Sequence, residues 1–194
     1  YYSSFPEAEI DDNAIIFTAS FDTFSNQNGA VYFAKEIYPL IKRERPEIQL
    51  WLVGKDPSDE IRSFANEDQS IHVTGTVDDV RSYISRAALC VVPLRIGGGS
   101  RLKILEAFAL KKAVVSTSIG AEGLSVTHGK DILLADTPEA FSRYVVGLLS
   151  DREQRKAMGG EGYSLVKEKY DWGPLADIHD NTWKKASSLP IYRK

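Results

Sequence analysis

Two hydrophobic patterns alternate along this chain. Short continuous apolar runs occupy residues 14–19, 48–54, 71–75, 88–94, 113–116 and 131–135. Runs of that length suit strands covered on both faces. Between them, apolar residues return every three or four positions. Ala30, Phe33, Ala34, Ile37 and Ile41 fall on one helix face, closed by Pro46. Residues 56–64 read as a short helix with Pro57 in its first turn, and 79–86 as another with Val80, Tyr83 and Ile84 on one side. Helices are predicted again at 101–110, 138–149 and 152–170, and one more in the tail from Trp172 to about residue 187. Residues 20–28 are polar and read as a loop.

Six strands alternating with helices predict βαβ crossovers and an α/β fold with a doubly wound parallel sheet. Residues 1–13 form a polar lead-in or interdomain linker, 14–175 the domain, and 176–194 a tail. Ligands of such sheets lie at the carboxyl ends of the strands, so the loops there carry the functional question.

The 194 residues include 43% apolar and 26% charged side chains, as in ordinary globular domains. Apolar runs stop near eight residues, far short of the roughly 20 that span a bilayer. The net charge of −3 argues against nucleic acid as a partner. The single cysteine, Cys90, sits in an apolar run and reads as a buried small hydrophobe. The three histidines are scattered without metal-ligand spacing, and no metal is expected. The sole methionine is Met158 and the chain opens Tyr1-Tyr2, so a fragment of a longer protein is expected.

The segment after the fourth strand is the richest in chemistry. It reads Gly97-Gly98-Gly99-Ser100-Arg101-Leu102-Lys103-Ile104-Leu105-Glu106. Consecutive glycines let backbone approach a ligand closely. Ser100 is placed to cap a helix starting at Arg101. A helix start binds anions through its N–H groups and dipole. Arg101 and Lys103 put two cations where the dipole disfavours them by about 0.3–1 kcal/mol each. A bound diphosphate would remove that conflict; a flexible loop beside solvated charges is the plainer alternative. Glu106 is either a surface helix residue or an acceptor for vicinal hydroxyls, as acidic residues are for ribose.

Other signatures are missing. Strand one does not lead into G-x-G-x-x-G, and His128-Gly129-Lys130-Asp131 lacks the glycine and Ser/Thr of a P-loop. Neither Asp-x-Asp nor a Gly-x-Ser-x-Gly elbow occurs.

Five segments then follow in one order: residues 18–40, Thr74-Gly75-Thr76-Val77-Asp78-Asp79-Val80, residues 93–107, Thr117-Ser118-Ile119-Gly120-Ala121-Glu122-Gly123-Leu124, and Lys169-Tyr170-Asp171-Trp172. Together they resemble the C-terminal, donor-binding domain of a retaining glycosyltransferase of the GT-B fold, family 4 (group 1). The similarity is to the branch marked by Gly-Gly-Gly-(Ser/Thr)-Arg-x-Lys-x-x-Glu, and it covers roughly residues 14–175.

The resemblance implies a Rossmann-like sheet, the C-terminal half of a GT-B fold, and a nucleoside diphosphate sugar as donor. It implies that Glu106 holds the ribose hydroxyls and that Gly97, Gly98, Gly99, Ser100, Arg101, Leu102 and Lys103 surround the diphosphate. It implies that Val77 reads the nucleobase through its backbone, and that Phe21 and Asp22 face the cleft between two domains. The full-length enzyme would move a hexose-like sugar, with retention and without cofactor, to a glycan or lipid acceptor bound by an N-terminal domain. It would be cytoplasmic, with peripheral association at the inner face of the membrane, and would serve polysaccharide biosynthesis. Two departures stand out. Gly98 replaces the first glutamate of the Glu-x7-Glu motif, and residues 20–28 carry no basic side chain, so Arg101 and Lys103 supply the charge from the helix side. A GT-B epimerase acting on the same donors, and a nucleotide-binding module without catalysis, are the alternatives.

Overall fold

A computed structural model of the chain describes residues 8–97 and 99–171 and, beyond these, only 173, 176, 180 and 182–184. Its strands are β1 (Asp11–Thr18), β2 (Gln49–Val53), β3 (Ile71–Val73), β4 (Ala87–Val92), β5 (Ala113–Ser116) and β6 (Leu133–Leu134). They form one six-stranded sheet in the order β3-β2-β1-β4-β5-β6, with every pairing parallel. The predicted α/β class and doubly wound topology are therefore observed. Ile15, Ile16, Phe17, Leu50, Leu52, Leu89, Val91, Val114 and Val115 are buried along the central strands. Burying each such side chain contributes about 1.5–3 kcal/mol.

The helices are α1 (Phe24–Tyr32), a π turn (Phe33–Ile37) leading directly into α2 (Tyr38–Glu44), α3 (Asp59–Glu67), α4 (Arg81–Arg86), α5 (Leu102–Ala109), α6 (Pro138–Ser150) and α7 (Arg152–Lys169). Pro39 follows the π turn. Proline has no N–H to give the preceding turn, and a locally widened turn is one way a helix absorbs that gap. In α7, Gly159 and Gly162 permit very close packing. A Cβ at Gly159 would lie 2.0 Å from the Lys111 carbonyl oxygen, and one at Gly162 would lie 2.5 Å from Phe108. Side chains there would push α7 away from α5.

Several boundaries differ from the sequence reading. β1 begins within the lead-in, where Asp11 pairs with Ala87. α1 begins at Phe24, inside the segment read as a loop. The Asn26 amide donates to the Ser20 carbonyl at 2.7 Å and the Gln27 amide to the Phe21 carbonyl at 2.6 Å, so these polar side chains fasten a helix start. α3 is capped by Ser58, which accepts from the Ile61 N–H, so Pro57 precedes the helix. Beyond Trp172, the predicted tail helix falls mainly outside the described residues, as does Gly98.

Candidate functional site

A cleft of about 690 Å³ opens at the carboxyl ends of the central strands. Its floor is the exit of β1, at Thr18 and Ala19, with Val53 and Gly54 from β2 and Leu94 after β4. The loop after β3 brings Thr76, Val77 and Val80, and the start of α5 brings Ser100, Arg101, Leu102, Lys103 and Glu106. Ser25 and Asn26 of α1 join the lining near α5, and Ser20, Thr23 and Lys55 line it as well.

The loops after β1 and β2 are joined through their backbones. The Ala19 N–H donates to the Val53 carbonyl at 3.0 Å and the Phe21 N–H to the Lys55 carbonyl at 2.9 Å. Gly54, at φ +147°, lies against this junction; a Cβ there would be 1.7 Å from the Ala19 oxygen. Only glycine fits. Lys55, at the lip, reaches Asp22 at 3.0 Å and has Asp56 at 3.9 Å. Ser20 donates its hydroxyl to the other Asp22 oxygen at 2.7 Å. The Ser20 hydroxyl and then the Lys55 amine hold the Asp22 carboxyl below its ordinary range.

Four predicted site residues, Phe21, Asp22, Gly97 and Gly99, do not line the cleft. Phe21 is fully buried, edge-on to Phe17 with 6.0 Å between ring centres. The chain turns inward after β1, and the aromatic ring is held by the core. Asp22 points instead to Lys55 and Ser20. Gly97 and Gly99 sit on an exposed loop beside the cleft, outside its lining, with Gly99 at φ +92°.

The start of α5 also differs from the prediction. Ser100 does not cap it. The cap position is Arg101, in the left-handed conformation at φ 54°, ψ 26°, with no side-chain cap bond. A non-glycine residue there costs roughly 1 kcal/mol. The compensation is tertiary. The Arg101 guanidinium is buried and reaches the Glu122 carboxylate at 3.2 Å, and its Nε donates to the Glu122 carbonyl at 3.2 Å. Gly97 lies over this pair: a Cβ there would be 2.9 Å from an Arg101 nitrogen and 3.1 Å from a Glu122 oxygen. Arg101 thus has its charge matched by a carboxylate from the loop after β5.

Lys103 is the cation built into the wall. Its ammonium donates to Asn26 Oδ1 at 2.7 Å and lies 5.3 Å from the centre of the Phe17 ring. Burial pulls its pKa down to about 8, with the nearby Arg101 charge acting the same way and Glu106 opposing. Glu106, one turn further along α5, is half-buried on the same lining. Among the lining residues there are three cations, Lys55, Arg101 and Lys103, and one carboxylate, Glu106. Such a cleft favours an anionic ligand that also offers hydroxyl groups. Among the described residues no group of three or more His, Cys, Asp or Glu side chains is placed to hold a metal ion.

Sequence reasoning found Val77, Ser100, Arg101, Leu102, Lys103 and Glu106 in this cleft. It missed Lys55, Ser25, Asn26 and Thr76. The one local signal for Lys55 was a glycine ending an apolar run, at Gly54.

The family model for glycosyl transferases group 1 matches residues 12–151. The chain belongs to this family. Among curated relatives of this group 1 chain is an uncharacterized 44.6 kDa protein in the cps region of Klebsiella pneumoniae. It is 23% identical over 164 residues, covering 81% of this chain and 42% of that protein. The trehalose synthase of Rubrobacter xylanophilus is 27% identical over 163 residues, covering 77% of this chain and 38% of the synthase. The chain therefore spans less than half the length of these relatives. Anabaena Alr3699/HepE, solved in complex with UDP and glucose, shares the fold at a TM-score of 0.71 and 16% identity, covering 91% of this chain and 48% of that one. This likeness supports the Rossmann-like, GT-B assignment of the sheet. Among the described residues no helix is long and apolar enough to cross a membrane.

Proposed function

We propose that the cleft binds a nucleoside diphosphate sugar and that, within a longer chain, it serves transfer of a hexose-like sugar to a glycan or lipid acceptor with retention. One observation carries this reading. The start of α5 presents Lys103 and, one turn on, Glu106 to the same cavity, which Val77 of the loop after β3 also lines. At 1.5 Å per residue, Glu106 stands roughly 6–8 Å from the helix start, the separation of a ribose from its distal phosphate. Family membership and the UDP complex of the Anabaena neighbour support the same ligand class.

In this mechanism the sugar–phosphate bond breaks and negative charge grows on the leaving diphosphate. The ammonium of Lys103 and the positive end of α5 meet that charge. They are already in place, held by Asn26, Phe17 and the packing of α5, so little reorganisation accompanies the step. Fixed protein cations take the role that a metal ion has in other sugar transferases. Glu106 accepts from the two ribose hydroxyls and fixes the nucleotide's register. The backbone around Val77 abuts the base. Arg101 supports the loop rather than the ligand, because Glu122 engages its guanidinium.

Calorimetry with UDP, ADP, GDP, uridine and inorganic pyrophosphate tests the reading. Glu106→Gln keeps the side-chain size and is expected to cost about 1–3 kcal/mol toward the preferred nucleoside diphosphate, with pyrophosphate unaffected or slightly tighter. Equal affinity of wild type and Glu106→Gln for every nucleotide would make Glu106 an ordinary helix residue and remove the ribose site.

A further inference from the structure

The loops after β1 and β2 present one more charged group to the cleft. We infer that Lys55 contacts the phosphates of the donor and that Asp22 is the counter-ion from which the phosphates take it; this rests on the nucleotide reading of the cleft.

The argument starts from the backbone. Lys55 is fixed at its main chain by the bond from the Phe21 N–H and by the contact of Gly54 with Ala19. Its side chain is about half exposed, as is that of Asp22, and it lines the cleft. An exposed pair of this kind is weak and exchanges readily. A diphosphate carries more charge than one carboxylate and offers more acceptor oxygens, so it competes well for the ammonium. The other two cations are less available for such an exchange. Arg101 is buried against Glu122, and Lys103 is set in the wall on Asn26. Asp22 is unsuited to touch the donor itself. Ser20 and Lys55 occupy its two oxygens, and its charge would repel a phosphate. Its place is that of a resident counter-ion, which pairs with Lys55 at the lip until the phosphates displace it. Lys55 also supplies, from β2, the positive charge that residues 20–28 lack.

The test is calorimetric titration of UDP and of uridine into the wild type, Lys55→Met, Asp22→Asn and the double variant, with Glu106→Gln alongside. Lys55→Met is expected to weaken UDP about 5–20-fold, the effect of losing one partly exposed charged hydrogen bond, and to leave uridine unchanged. Asp22→Asn is expected to leave UDP unchanged or tighten it, and the double variant to match Lys55→Met. A Lys55→Met protein that binds UDP like the wild type, while Glu106→Gln has lost affinity, overturns this inference and leaves the cleft reading standing. Loss of UDP by Asp22→Asn equal to that by Lys55→Met also overturns it, because Asp22 would then bind the donor directly. A wild type that binds none of the nucleotides at millimolar concentration overturns the cleft reading and this inference with it.

Discussion

Replacing Lys103 by methionine should make the protein more stable and the cleft less able to bind. Burial moves the Lys103 pKa from 10.5 to about 8. That difference of about 2.5 units, at 1.36 kcal/mol each, sets the cost of the charged form at roughly 3 kcal/mol below pH 8. The direction with pH follows from proton counts. Below about pH 8 the folded and unfolded chains both carry the proton, so the cost is full and constant. Between about pH 8 and 10.5 the unfolded chain still holds the proton that the folded chain has lost, and the wild type gains stability as pH rises. Methionine has no charge to desolvate and packs on Phe17, but it leaves Asn26 Oδ1 without its donor, at about 1 kcal/mol. At pH 7 Lys103→Met should therefore be more stable by about 1–2 kcal/mol, or roughly 3–6 °C in Tm. Its advantage should fade and then reverse as pH rises to about 10. Urea unfolding of both proteins across that range gives the difference at each pH, in which the titration of all other groups cancels. A variant less stable than the wild type at pH 7, or a difference that ignores pH, would refute the reasoning. The same variant should lose at least about tenfold in UDP affinity, a stability cost retained for function.

Three further outcomes are expected. Burial pushes the Asp68 carboxyl up, but the Lys42 ammonium at 2.6 Å and the Ser70 hydroxyl and N–H outweigh it and hold the pKa near 2. Asp68→Asn should thus cost about 1–2 kcal/mol above pH 4, a cost that shrinks as the pH falls through about 2 and vanishes below it, as read by acid titration of the two proteins. Glu122→Gln leaves the Arg101 guanidinium without its carboxylate and should lower stability by about 1 kcal/mol, less in high salt; urea unfolding with and without salt gives both numbers. UDP affinity measured with excess EDTA should match that with excess Mg²⁺, and a tenfold drop on chelation would show that a metal belongs in the site.

What the sequence disclosed was set by how local each cause is. Continuous apolar runs such as residues 14–19 and 88–94 marked buried parallel strands because nothing else at that length is so uniformly apolar. The doubly wound, parallel class needed only the alternation of strand and helix, whereas the strand order came from the structure. Helix α1 was missed at its start because Asn26 and Gln27 look like loop residues until their amides are seen fastening the turn. The conformation of Arg101 depends on Glu122, which lies 21 residues away in the chain. Phe21 reads as a cleft residue by position, yet its ring is taken by Phe17. Lys55 becomes a site residue only once β2 lies beside β1, and that adjacency is a property of the sheet.

The two glycines of α7 bear on how this cleft can change its ligand. With α7 seated directly on the Lys111 carbonyl and on the Phe108 ring, α5 is clamped from behind. It becomes a stationary datum for phosphate and ribose, and its inner amides should exchange with solvent only when the whole domain opens. Adaptation to another base or sugar then falls to the segments after β1, β2 and β3. Apart from Gly54 and the buried Phe21, these segments can be rewritten without disturbing the clamp, so a library randomised at their exposed positions should yield folded proteins far more often than one randomised along α5.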